Sequence, residues 1–242
     1  MLRVAARVAA VVLAVAQPGC FSKPPEPHAS NGDGGVLDII FMDAAGGIDA
    51  AQNPGDGAVC GTDTFDGGGP ACGTWGTPLG NATTTRAGGY LSVSALAGQA
   101  GGCKTNGTFS FQNGASVEIV QPMNGGMDYT TSFVVFGASG ELARVDLHEQ
   151  AGVSSYSIQC SGTAPMTMSG AAKRWWRIRP YQSGSTIVES GPDPSSYAME
   201  TVCAGASATV VSVQLSASAG AADDATVPAL FDNFDTMTIC PQ

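Results

Sequence analysis

From residue 91 onward, apolar and polar residues alternate with a period of two in one short run after another. Leu91-Ser92-Val93-Ser94-Ala95 is the cleanest case, preceded by the turn pair Gly88-Gly89. That period sends successive side chains to opposite faces of a β-strand. Thr108–Phe111 and Ser116–Val120 repeat the pattern, and Gln112-Asn113-Gly114-Ala115 between them predicts a hairpin connection. Strands are expected next at Thr130–Phe136, Leu142–His148, Ser154–Gln159, Lys173–Arg179, Ser185–Glu189, Ala208–Leu215 and Leu230–Ile239. With the segments around Phe65 and Trp75, the pattern predicts about twelve strands, spaced as in an all-β sandwich.

One predicted hairpin specifies its own register. If Gln182-Ser183-Gly184 is a three-residue loop with Gly184 in the left-handed region, Arg177 faces Glu189 and Ile178 faces Val188. Trp176, Ile178 and Val188 then share the buried face, and Trp175, Arg177, Arg179 and Glu189 share the other. A slip by one residue would set Ile178 against Glu189.

A helical reading suits only the N-terminus. Arg3 and Arg7 precede an unbroken apolar run, Val8–Ala16, and Gln17-Pro18-Gly19 leads to Cys20. A basic head, a short apolar stretch and small residues at the break predict an export signal over residues 1–19. The run is well short of the ~20 residues that span a bilayer. Gly19-Cys20 resembles a bacterial lipobox, which implies that Cys20 becomes an acylated N-terminus. Gln17 stands where that pattern usually has leucine, and Ala14-Val15-Ala16 offers an ordinary cleavage site instead. Phe21 after the cysteine resembles the sorting signal of outer-membrane lipoproteins. The expectation is an exported protein, lipid-anchored at the outer membrane or cell surface.

Composition separates the chain into two parts. Residues 20–58 are dense in Gly, Asp, Ala and Pro and read as a flexible tether, broken by the apolar patch Val36–Met42, a short strand or docking segment. Residues 59–242 are long enough for a single domain, and a chain starting near Gly57 is expected to fold alone. Gly makes up 33 of 242 residues and Lys only three, which favours turns and strands over helices. Without Arg3 and Arg7, eight basic residues face 20 acidic ones, a net of −12. A field of that sign repels nucleic acid and anionic lipid, so attachment to the bilayer must come from the lipid itself.

The seven cysteines are Cys20, Cys60, Cys72, Cys103, Cys160, Cys203 and Cys240. If Cys20 carries lipid, the other six can close three disulfides in an oxidising compartment. No C-x-x-C pair occurs and only His28 and His148 are present, so no zinc site, metal or other cofactor is expected.

Arg174–Arg179, Thr186–Ser190, the run Ala208–Ser216 and the closing Leu230-Phe231-Asp232-Asn233-Phe234-Asp235 resemble the concanavalin A-like jelly-roll domains of lectins, laminin G modules and glucanases. The resemblance covers Cys60 to the end. It implies two antiparallel sheets, with the first and last strands side by side. It also lays the strand after Cys60 antiparallel to the strand ending at Cys240, bringing those two cysteines to one end. A Cys60–Cys240 disulfide is then expected, with a local Cys60–Cys72 bridge as the alternative. Related jelly rolls hold calcium near these strands, where Asp66 and Asp232 fall, but a site needs six to eight oxygens.

Such a fold hosts enzymes, lectins and spacers alike. Glucanases of this family carry Glu-x-Asp-x-x-Glu on one strand. In Glu118-Ile119-Val120-Gln121-Pro122-Met123, Val120 and Met123 replace two of the acids. A lone carboxylate cannot run the double displacement, so no catalysis is expected. Gly137-Ala138-Ser139-Gly140-Glu141 lacks the last glycine of a nucleophile elbow. Asp146 and His148 share a strand face, read as solvated residues on a strand edge. A glycan-binding module is the stronger reading: Trp175 supplies an aromatic platform and Arg177 and Arg179 planar polar groups. Against it stands a spacer in which Trp175 packs under a loop or the tether and both arginines pair with Glu189.

Overall fold

The computed structural model describes residues 62–169, 173–182, 184–221 and 227–236, all within one compact unit, Ala44–Gln242. The expected leader, Cys20, the tether with Val36–Met42, Cys60 and Cys240 lie outside the described residues.

Among the described residues there is no helix, and sixteen strands follow one another. In chain order they are β1 (Thr62–Asp63), β2 (Gly76–Gly80), β3 (Thr83–Ala87), β4 (Tyr90–Ser94), β5 (Ala100–Thr105) and β6 (Phe109–Ser110). Next come β7 (Ala115–Gln121), β8 (Tyr129–Gly137), β9 (Gly140–Gln150), β10 (Val153–Cys160) and β11 (Met166–Ser169). The chain closes with β12 (Trp175–Tyr181), β13 (Ser185–Gly191), β14 (Ala198–Cys203), β15 (Val210–Ala219) and β16 (Ala229–Asp235).

They form two sheets, and every ladder is antiparallel. Sheet 1 runs β14-β13-β12-β7-β16-β4-β3, with β1 also on β16; sheet 2 runs β11-β10-β9-β8-β15-β5-β2, with β6 also on β15. The first and last strands lie side by side, Thr62 opposite Asp235. This is an all-β, two-sheet antiparallel jelly-roll sandwich.

Alternation decides which residues meet between the sheets. Val117, Ile119, Trp176, Ile178, Val188 and Phe231 of sheet 1 are buried, as are Phe133, Val135, Val145, Leu147, Val213 and Leu215 of sheet 2. Burying each large apolar side chain stabilises the fold by roughly 1.5–3 kcal/mol. Trp176 meets Tyr156 of sheet 2 edge-on at 5.4 Å. Its indole N–H donates to the Lys173 carbonyl at 2.8 Å, so the ring is buried without an orphaned donor. The disulfide Cys160–Cys203 joins the end of β10 to the end of β14 and so staples one sheet to the other.

Four expectations change here. The strands expected around Phe65 and Trp75 are β1 and β2, but they stop short of both residues: Phe65 takes φ 56° outside the strand, and the buried Trp75 ring packs against Phe65 and Phe234. Thr108–Phe111 and Ser116–Val120 do not form a hairpin, because β6 joins sheet 2 and β7 joins sheet 1. The connection between them crosses from sheet to sheet, with Phe111 buried on the way and its N–H donating to the Thr209 carbonyl. Asp146 and His148 are not on a strand edge, since β9 runs between β8 and β10. Finally, Cys72 pairs with Cys103, which removes the local Cys60–Cys72 alternative.

Strands β2, β3, β5, β11 and β14 give no alternation signal because they lie at or next to sheet edges or are built from glycine and threonine. Ala100-Gly101-Gly102 in β5 has almost no side chains to pattern. A Cβ on Gly101 would stand 2.6 Å from the Leu79 carbonyl oxygen of β2, so the close approach requires glycine.

Candidate ligand-binding cleft

The β12–β13 hairpin has the register its sequence demands, with Arg177 opposite Glu189 and Ile178 opposite Val188. Strand β12 ends at Tyr181 and β13 begins at Ser185, and Gly184 takes φ 82°. Trp176 and Ile178 therefore enter the core, while Trp175, Arg177 and Arg179 emerge on the outer face of sheet 1. The neighbouring strands continue this face. Arg177 stands opposite Ser116 of β7, Ser116 opposite Asp235 of β16, and Asp235 opposite Thr62 of β1. A row of four side chains thus crosses four strands. A second row runs beside it from Trp175 to Glu118 to Asp232.

A bulge in β16 shapes the second row. Asn233 and Phe234 are inserted between Asp232 and Asp235 opposite the single residue Val117, and Asn233 adopts φ 47°. Asparagine tolerates that conformation better than most residues. The insertion turns Phe234 into the core against Trp75, at 4.6 Å, and lets the Asn233 amide donate to Glu118 Oε2 at 2.6 Å.

The connection between β13 and β14 forms the wall. Gly191-Pro192-Asp193-Pro194-Ser195-Ser196-Tyr197 folds back over sheet 1, and the Asp193 carboxylate accepts from the Ser195 N–H at 2.9 Å. A Cβ at Gly191 would collide with the Ser196 carbonyl oxygen, so the tight return needs glycine there. The return brings the Tyr197 ring under the Arg177 guanidinium, 4.1 Å from its carbon to the ring centre. Burial raises the pKa of the Tyr197 hydroxyl, which hydrogen-bonds Ser116.

Rows and wall enclose a cleft of about 380 Å³, lined by Trp175, Arg177, Ser116, Asp235 and Thr62 with Tyr197, Pro194 and Asn233 at its sides. Trp175 is half-buried, leaving part of its ring to the cleft. Arg179 is not among the lining residues. Glu189 receives Arg177 Nε at 2.7 Å, and Arg179 Nε and Nη2 at 2.8 Å each. Burial alone would raise the Glu189 pKa, but hydrogen bonds from Arg179 and Arg177 outweigh it, and the carboxyl lies below its usual range.

Glu118 is not a lone carboxylate, because Asp232 faces it across the strand pair. The two are unlike. Glu118 is buried and held by Arg174 and Asn233. Burial, with Glu118 and Asp66 adding repulsion, pushes Asp232 up to about 6, despite the Asn233 N–H on Oδ1. Asp66 lies in the bend after β1, not in a strand. Among the described residues, no three His, Cys, Asp or Glu are grouped to hold a metal ion.

On sheet 2, Asp146 and His148 belong to a ladder of cross-strand bonds. Asp146 Oδ1 accepts from Ser132 at 2.6 Å, and His148 lies 3.2 Å from Thr130 through Nδ1 and 2.9 Å from Ser157 through Nε2. Burial raises the Asp146 pKa, with the Ser132 bond opposing it.

Sequence reasoning found Trp175 and Arg177 of this cleft and missed Ser116, Tyr197, Asn233, Asp235 and Thr62. An aromatic closing a Pro-x-Pro-Ser-Ser turn was the available signal for Tyr197. The others are ordinary polar residues of strands, and nothing local sets them apart.

No protein-family profile matches the chain, and no curated protein matches it in sequence. Among solved structures it is similar to a functionally unknown protein from Saccharomyces cerevisiae, with TM-score 0.53 and 10% identity over 69% of this chain and 98% of the other. That likeness is one of fold. The VIP36 exoplasmic/lumenal domain, solved in a Ca²⁺/Man₂-bound form, aligns at TM-score 0.47 and 10% identity over 74% of this chain and 88% of that one. A Bacillus licheniformis β-glucanase aligns at 0.47 and 10% over 73% and 95%.

Proposed function

We propose that this is an exported, lipid-anchored surface protein whose jelly-roll domain binds a glycan in the outer cleft of sheet 1 without catalysis. The observation that supports the reading is a partly exposed indole beside a row of polar groups on paired strands. Sugar rings offer an apolar face for stacking and a rim of hydroxyls for hydrogen bonds. Trp175 supplies the platform, and Ser116, Asp235, Asn233 and Thr62 supply donors and acceptors. Because strands hold these groups, little ordering is needed on binding. The absence of catalysis is part of the proposal: Arg174 and Asn233 engage both oxygens of Glu118, which leaves it a poor nucleophile.

The pairing of both arginines with Glu189 favours a second reading, a spacer with no small ligand. A glycan array probed with the folded domain separates the two. Binding that falls at least about tenfold in Trp175→Ala, a loss of ~1.4 kcal/mol, supports the lectin. No bound glycan at all, or binding that Trp175→Ala leaves untouched, overturns it.

A further inference from the structure

An indole and a row of hydroxyl-binding groups suit many sugars, but an arginine at one end of the cleft narrows the choice. We infer that the site takes a saccharide bearing a carboxylate, a uronate, and that Arg177 reads that group with its two Nη nitrogens. This rests on the cleft being the glycan site.

Among the residues lining the cleft, Arg177 is the only Arg or Lys. Its Nε donates to Glu189 at 2.7 Å. Among the described residues neither Nη1 nor Nη2 has an acceptor, and neither is a buried orphan, so both open on the cleft. Charge follows the same count. Glu189 is shared with Arg179, whose Nε and Nη2 donate to it at 2.8 Å each, so two cations face one anion and a positive charge is left over. The bond to Glu189 and the Tyr197 ring, 4.1 Å from the guanidinium carbon, fix the plane of the fork before any ligand arrives. Two N–H edges held in one plane match a carboxylate in parallel, charge-assisted bonds. A hydroxyl in the same place would accept without the charge, and more weakly. Trp175 stands two residues before Arg177 on the same face, ~6.6 Å along the strand, so a uronate ring stacked on the indole turns its carboxylate toward the fork.

The anions around the cleft lie elsewhere. Asp63 is paired with Arg86, and Glu118 of the adjoining row with Arg174. Asp235 and Asp232 are on β16, two strands from Arg177 and so ~10 Å away at the usual spacing of paired strands. The cleft is thus cationic at its β12 end and anionic at its β16 end, where hydroxyls of the same ligand meet Asp235 and Thr62. The net charge of −10 opposes an acidic ligand only at a distance, and physiological salt screens it over ~8 Å.

Arg177 is then a specificity-determining residue that touches the ligand, and Glu189 and Tyr197 position it. Uronic oligosaccharides and their carboxyl-reduced counterparts, alike except for the charged group, are titrated against the folded protein by calorimetry at physiological salt. Wild type is expected to bind the uronic set at least about tenfold more tightly. Arg177→Gln, which leaves Glu189 its bonds from Arg179, is expected to level the two sets, with circular dichroism checking its fold. Arg177→Lys keeps the charge and loses the fork, and should retain only part of the preference; it decides the matter if the glutamine variant does not fold. Equal binding of the two sets by wild type, or tighter binding of the reduced set, overturns the inference and leaves the glycan site standing. It falls too if a folded Arg177 variant keeps the full preference. Binding of neither set overturns both the inference and the reading of the cleft beneath it.

Discussion

Asp232 ionises late because three causes add: it is partly buried, Glu118 faces it across the strand pair, and Asp66 lies near. Its folded pKa of about 6 stands above the ~3.9 of an unperturbed aspartate. Between those values the folded state holds a proton that the unfolded chain has lost. The group's stabilisation is therefore full below pH ~4 and is lost as pH rises through about 6. Asp232→Asn keeps the acceptor for the Asn233 N–H and removes the charge. After allowance for solvent screening the variant should gain ~1 kcal/mol at pH 8, or a Tm higher by about 2–4 °C, and almost nothing at pH 4. Thermal unfolding at the two pH values checks this, and an equal shift at both contradicts it. Glu189 and Glu200 run the other way. Hydrogen bonds outweigh burial and hold both below the usual carboxylate range, so their contribution fades only as pH falls through those lowered values.

At the scale of elements, local irregularities set the edges of sheet 1. Strand β14 slips register between Val188 and Glu189 of its partner, and the residue left over, Glu200, receives Lys173 at 3.0 Å and the Tyr156 hydroxyl at 3.2 Å. A bulge on an edge strand thereby ties that edge to the facing sheet. Cys160–Cys203 does the same covalently, closing a 43-residue separation worth between about 3 and 4.7 kcal/mol in the chain-entropy model. With Cys72 bound to Cys103, two of the six domain cysteines remain, Cys60 and Cys240. The antiparallel β1–β16 pair puts Thr62 opposite Asp235, two residues after Cys60 and five before Cys240. Non-reducing peptide mapping of the protein is expected to return a Cys60–Cys240 peptide. Recovery of Cys60 joined to Cys20, or of Cys60 and Cys240 as free thiols, contradicts that pairing.

For the molecule as a whole, charge and anchoring act together. Once the expected leader is removed, a net charge of −12 keeps the protein off anionic surfaces, so the expected lipid on Cys20 must carry the whole attachment. Detergent-phase partitioning of the protein is expected to be lost in Cys20→Ser, or processing of that variant to stall. A mature N-terminus at Gln17 would instead establish ordinary cleavage after Ala16 and a soluble exported protein.

The period of two, the turn glycines and the odd cysteine count were legible along the chain because each depends on neighbours a few residues apart. They determined the all-β class, most central strands, and the β12–β13 register with its buried Trp176, Ile178 and Val188. Alternation does not say which strand pairs with which. It is equally satisfied by a β6–β7 hairpin and by the crossover that the tertiary structure adopts. The cleft shows the same limit. Thr62, Ser116, Arg177 and Asp235 form one row only because β1, β16, β7 and β12 lie side by side, and Tyr197 reaches that row through a separate turn. The paired residues of that row stand from 61 positions apart, Ser116 and Arg177, to 173 apart, Thr62 and Asp235. Long-range strand pairing and the shared burial of a core decided them, and no local pattern encodes that choice.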